Sequence, residues 1–182
     1  MSWPDGLLGT HRLSLFGIDV GGRADQLAAD IELLVDDPVY LFNDWYAVMA
    51  LGLSGRHECN QQLVANNRRR TVGTNREVAE RVRLALVEGF GSFAAGQPDR
   101  ALDLLIDLRP VANAVGGSHA QRDIIDLTLI AAAARAGEPT LTEDLVAERV
   151  ARKPSASAAA TQLVGPPTGA DGVGRVRRPG PP

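Results

Sequence analysis

The chain has 182 residues, of which 45% are hydrophobic, 4% aromatic and 23% charged. That is room for one domain or two small ones, with enough apolar material to exclude disorder throughout. Net charge is −3, but the last 28 residues carry three Arg and one Asp, which leaves −5 on the rest and makes a dedicated phosphate-backbone binder a poor fit.

Apolar spacing is helical nearly everywhere. Ala24, Leu27, Ala28, Ile31, Leu34 and Val35 predict a first amphipathic helix, ended by Pro38. Leu41, Trp45, Val48, Met49 and Leu53 predict a second that stops near Gly55, and His57 opens the helix after it. Val78 to Phe93 form a longer one, stopped at Gly96. Ala101, Leu105, Leu108, Ala112 and Val115 follow, ended by Gly116-Gly117. Ile124 to Ala134 precede Gly137, and Leu141 to Val150 precede Pro154. No segment alternates with period two for long enough to form a strand, so the class is all-α.

The turns Ser54-Gly55-Arg56, Ala95-Gly96-Gln97-Pro98 and Ala136-Gly137-Glu138-Pro139 place their glycines 41 residues apart, twice over. Gly suits the left-handed position after a helix, and Pro suits the first turn of the next. One helical hairpin per fixed period is the mark of an α-solenoid. In the middle unit Gly89, Gly96, Ala101 and Leu105 stand where a tetratricopeptide repeat has small, turn, small and large residues. The third unit keeps Gly137 but has Thr142 where Ala is usual, and the first keeps little beyond Gly55. The expected architecture is a short TPR-like stack of α-α hairpins over residues 1–154. The Ala/Gly/Pro-rich residues 155–182 are expected to be a disordered tail.

Two strings carry a more specific resemblance. They are Tyr40 to Ala50 (YLFNDWYAVMA) and Gly116 to Ile125 (GGSHAQRDII), the latter followed by Leu129-Ile130-Ala131-Ala132. Gly17 to Gly21, Gln97 to Leu105, Glu148-Arg149 and Lys153-Pro154 stand around them in order. Together these residues resemble the C-terminal part of the tetratricopeptide repeat protein 38 family, over roughly His11 to Ser155. The resemblance implies a helical repeat scaffold and brings no reaction or cofactor with it. It also implies that N-terminal repeats are missing, so that the first helix exposes a face open to self-association, and that the chain is part of a longer protein.

The candidate site residues follow. Ser118 and Gln121 form a capping box after Gly116-Gly117, in which the Ser alone is worth about 1 kcal/mol. Adjacent Ser118 and His119 diverge at a helix start, which argues against a nucleophile–base pair. His119, Arg122 and Asp123 are candidate ligand or partner contacts near a helix N-terminus. Asn43 and Asp44 open the second helix as local caps or as polar contacts of the inner face, while Trp45 and Tyr46 read as packing. His57-Glu58-Cys59 cannot all face one metal, and a lone cysteine excludes an internal disulfide and any Cys-based metal cluster. The most apolar stretch, Leu127 to Ala136, is shorter than the about 20 residues a bilayer needs. The opening Met-Ser-Trp-Pro-Asp-Gly has neither the basic nor the apolar region of a signal peptide.

The sequence therefore predicts a cytoplasmic, non-enzymatic scaffold that binds a protein segment or small ligand on its inner helices. No cofactor, metal, nucleic acid or membrane partner is expected. The competing readings are an enzyme of unknown reaction with its site between repeats, and a nonfunctional fragment of a longer protein.

Overall fold

The computed structural model describes residues 3–33, 41–71, 77–111, 119–154 and 163. The helices are α1 (Trp3–Leu15), α2 (Asp25–Glu32), α3 (Leu41–Leu53), α4 (His57–Thr71), α5 (Glu77–Ala94), α6 (Pro98–Ile106), α7 (His119–Ala136) and α8 (Pro139–Arg152). The described residues contain no strand, and no helix among them is long and apolar enough to cross a membrane.

The glycine period has a structural cause. Gly55, Gly96 and Gly137 have φ of 67°, 70° and 77°, a region that a side chain strains. In each turn the Gly N–H reaches the carbonyl three residues back, and the next N–H reaches the carbonyl five back. For the first turn these bonds are Gly55 to Gly52 at 3.2 Å and Arg56 to Leu51 at 2.9 Å. This double bond satisfies the last carbonyls of α3, α5 and α7 and reverses the chain. Helices α4, α6 and α8 then start at His57, Pro98 and Pro139, in the same 41-residue register. Gly17 (φ 72°) ends α1 with the same pair of bonds, to Ser14 and Leu13.

Three hairpins result: α3 with α4, α5 with α6, and α7 with α8. Their first helices lie side by side, α3 against α5 and α5 against α7, while α4 and α6 each pack on the first helix of the next hairpin. Close approach has named causes. A Cβ at Gly89 would stand 2.5 Å from Leu105 Cδ2, and one at Gly52 would stand 2.5 Å from Ala94 Cβ. Helix α7 is buried around almost its whole circumference from Ile124 to Ala133, which marks it as a central helix. That explains the apolar run Leu127 to Ala136.

Two expectations are corrected. The helix expected over Ala24–Val35 is α2, over Asp25–Glu32, and it is not the first: α1, which the apolar spacing had not flagged, precedes it. The α-helix expected to run from Ala101 to Val115 ends at Ile106 and the chain tightens into a 3-10 turn over 109–111, since Pro110 has no N–H to donate to the carbonyl of Ile106. Gly116, Gly117 and Ser118 lie outside the described residues. So does the expected tail, apart from Leu163, which packs half-buried on the core.

Candidate binding site on the inner face

Helix α1 lies against both α3 and α7, the first helices of two hairpins. Leu7, Leu8, His11 and Leu15 fall on one stripe and are all buried. Trp45 of α3 meets Phe90 of α5 edge-on at 5.4 Å, and the His11 ring lies 5.5 Å from that same Phe90. Four helices thus share one core.

Two adjacent residues of α1 then do different work. Arg12 Nη2 donates to Asp123 Oδ2 at 3.0 Å, and Arg149 of α8 donates to the other carboxylate oxygen. Burial alone would raise the Asp123 pKa. The hydrogen bond and charge of Arg149, with the charges of Lys153 and Arg12, outweigh it and hold the carboxyl below its ordinary value. The Arg149 side chain is only 5% exposed, so this pair is buried, whereas Arg12 is 39% exposed and reaches in from the surface. One turn further along α7, Asp126 faces Arg109 at 3.7 Å and Arg152 at 3.2 Å, and Arg109 also pairs with Glu148. At this end of α7 each carboxylate has arginine partners, while the Nε atoms of Arg12, Arg109 and Arg149 have no hydrogen-bond partner among the described residues.

His11 faces the other way. Its Nε2 lies 3.2 Å from Thr128 Oγ1 of α7, and its Nδ1 has no hydrogen-bond partner among the described residues. Burial, and then the charge of Arg135, lower its pKa from 6.5 to about 4, so the ring is neutral at pH 7. His11 also lines a cavity of about 330 Å³ at the C-terminal end of α1. Met49, Phe90 and Phe93 form its buried floor, with Leu53 beside them, and exposed Ile18 and Asp19 stand at its mouth. Arg135 completes the wall, its guanidinium 4.4 Å above the Phe93 ring. No carboxylate of the described residues pairs with it. The lining combines an apolar floor with a few convergent polar groups, and its volume is at the small end for ligand pockets.

A second cavity, of about 270 Å³, lies between α4 and α5. Its charges are internally paired, since Glu88 meets Arg68 through one oxygen and Arg100 through the other. His57 lines this cavity, Glu58 is exposed, and Cys59 turns to α2 instead, donating to Glu32 Oε1 at 3.2 Å. That bond holds the thiol pKa above its ordinary value. No cluster of three or more metal-ligating side chains occurs among the described residues.

Of the residues singled out from sequence, Asp123 joins α1, α7 and α8. Asp44 is 4% exposed in the first turn of α3, where a carboxylate suits the helix dipole. Trp45 and Tyr46 are core residues. Arg122 is half-buried on α7. Asn43 and Gln121 fall within α3 and α7, and His119 opens α7, but their side chains lie outside the described residues, as does all of Ser118. The functional groups that sequence reasoning missed are His11, Arg12, Arg135 and Arg149. Leu7, Leu8, His11 and Leu15 do follow helical spacing, but Gly6 and Gly9 break up the pattern. The chain matches no protein-family model and no solved structure.

Proposed function

We propose that the chain is a helical-repeat scaffold, stacked in the manner of tetratricopeptide repeats, that binds a helical segment of a partner protein on its inner face. The observation that carries this reading is the seat of α1, which lies across the first helices of two different hairpins. Its anchors are three leucines, worth about 1.5–3 kcal/mol each when fully buried, plus the Arg12 ion pair. Yet α1 is a poor helix by itself. Gly6 and Gly9 each cost about 1 kcal/mol relative to Ala, so it depends on docking to hold its form. A partner helix with the same apolar stripe and a cation in the place of Arg12 would compete for the seat. The resemblance to the tetratricopeptide repeat protein 38 family supports a scaffold rather than a catalyst. The single free cysteine suits a reducing, cytoplasmic setting.

A synthetic peptide spanning residues 2–17, labelled with fluorescein, tests the seat on the full chain. Leu8→Ala loosens the resident α1 and should tighten peptide binding at least tenfold, while adding Asp123→Asn should abolish that gain. Partner proteins captured by the loosened chain should be released by excess peptide. Equal peptide affinity for the parent and Leu8→Ala chains would remove the basis for the reading.

A further inference from the structure

We propose that the cavity at the C-terminal end of α1 is a binding site for a small carboxylate with an apolar body. The carboxylate would sit on the Arg135 guanidinium beside His11, and the body would lie on Phe90, Phe93 and Met49. The inference depends on α1 being seated, and not on what else the inner face receives.

Three observations converge on this chemistry. First, the Arg135 guanidinium carbon lies over the Phe93 ring, 4.4 Å from its centroid. A guanidinium held over a ring by its charge keeps N–H groups for another partner, and its fork matches a carboxylate in two parallel hydrogen bonds. Arg135 itself is exposed, whereas the buried or half-buried Arg149, Arg12 and Arg109 near α1 are already engaged, the first two with Asp123 and the third with Asp126 and Glu148. Second, His11 is 6% exposed, lines the cavity, and leaves Nδ1 with no partner among the described residues. A buried polar atom without a partner costs free energy that a ligand group can recover. In the tautomer in which the Thr128 hydroxyl donates to Nε2, Nδ1 carries the proton and offers it to a carboxylate oxygen. Third, the floor is apolar and aromatic, so the ligand gains by burying a hydrocarbon or aryl body as well as by its charge.

The charged groups facing the site are Arg135 from α7 and Asp19 from the loop after α1. Asp19 opposes an anion, but it is exposed and its Oδ1 accepts the Gly21 N–H at 2.8 Å, so water screens much of its charge. This opposition supplies a test with two signs. Arg135→Gln should weaken the binding of a carboxylate about tenfold, and Asp19→Asn should strengthen it about twofold.

Octanoate and octanamide, alike in body and different in charge, are the probes. They are titrated into the full chain and followed by isothermal calorimetry and by the ring signals of His11, assigned with His57→Gln and His119→Gln. Octanoate should saturate a single site below about 1 mM, shift the His11 signals, and bind about tenfold better than octanamide. Arg135→Gln should bring octanoate down to the octanamide level without lowering the Tm, and Arg135→Lys should fall between. The proposal is overturned if the two probes bind equally, if Arg135→Gln leaves octanoate binding unchanged, if His11 does not respond, or if octanoate does not saturate. Because none of these readouts uses the peptide of residues 2–17, failure here leaves the helix-binding reading standing, and the converse also holds.

Discussion

The two ends of α7 meet the same C-terminal half of α1 and handle the burial of polar groups differently. Toward Asp123 the charges are paired, one carboxylate taking Arg12 on one oxygen and Arg149 on the other, although the Nε atoms of both arginines have no hydrogen-bond partner among the described residues. Toward Phe93, a neutral histidine keeps one ring nitrogen without a described partner, and an arginine rests on an aromatic face with no described carboxylate. A matched cluster fixes the position of helices, since each charge would be costly if its partner left. An unmatched one stays ready for a group that the fold does not supply. The contrast separates a joint from a receiving site, although Arg12 and His11 are neighbours in sequence.

Breaking the joint should have the largest effect. Asp123→Ala leaves the buried Arg149 guanidinium without its carboxylate, and the loss should be about 3–5 kcal/mol in urea unfolding. Removing both charges, as Asp123→Leu with Arg149→Met, should restore most of it, because two apolar side chains avoid the desolvation of two ions. If the single variant loses under 1 kcal/mol, the matched end is not what holds α1, α7 and α8 together.

The receiving end should show itself through pH. Folded His11 titrates near 4 and the unfolded ring near 6.5, so the unfolded chain takes up a proton that the folded chain refuses. Stability therefore falls as pH drops from 6.5 toward 4, at about 1.4 kcal/mol per unit, or about 2 kcal/mol between pH 6.5 and 5. Asp123 works in a different window. Its folded pKa lies below the ordinary value near 3.8, so the stability it contributes is present above that value and is lost as pH falls below it. Urea midpoints measured from pH 7 to pH 3 should show both losses. His11→Gln should flatten the upper one and leave the lower; a parent curve that is level between pH 7 and 5 would show His11 to be solvated after all.

The frame of the molecule was more legible in the sequence than these two ends. Gly55, Gly96 and Gly137 announce the hairpins because a positive φ allows few other residues. The weaker repeats were obscured by substitution at the positions that mark the middle unit. In the 41-residue register Gly89 and Leu105 correspond to Ile130 and Val146, so the glycine that admits Leu105 has no small counterpart in the third unit. Ala101 corresponds to Thr142, which is buried and directs its hydroxyl to the Glu138 carbonyl at 2.7 Å. It also corresponds to Asn60, whose amide donates to the Val48 carbonyl at 3.3 Å. Each substitution looks like degeneration in a string and is accommodated in three dimensions. The joint had no such trace. Arg12 and Asp123 stand 111 positions apart and Arg149 lies 26 beyond, so no local spacing connects them. The cavity was hidden for a related reason: its polar groups come from α1, the loop after it and α7, while its floor comes from α3 and α5.

The smallest effect is the most discriminating between a joint and a displaceable occupant. Arg12 is 39% exposed, so water already screens its pair with Asp123, and Arg12→Ala should cost only about 0.5–1 kcal/mol of global stability. Its local effect should be larger. Arg149 still satisfies Asp123, so α7 and α8 stay joined while α1 loses its polar anchor and keeps its three leucines. Hydrogen exchange should then accelerate about two- to fivefold in residues 7–15, with α7 and α8 unchanged. Uniform acceleration across all three helices would mean that α1 opens only when the whole core does. In that case the inner face could receive a partner helix only by unfolding.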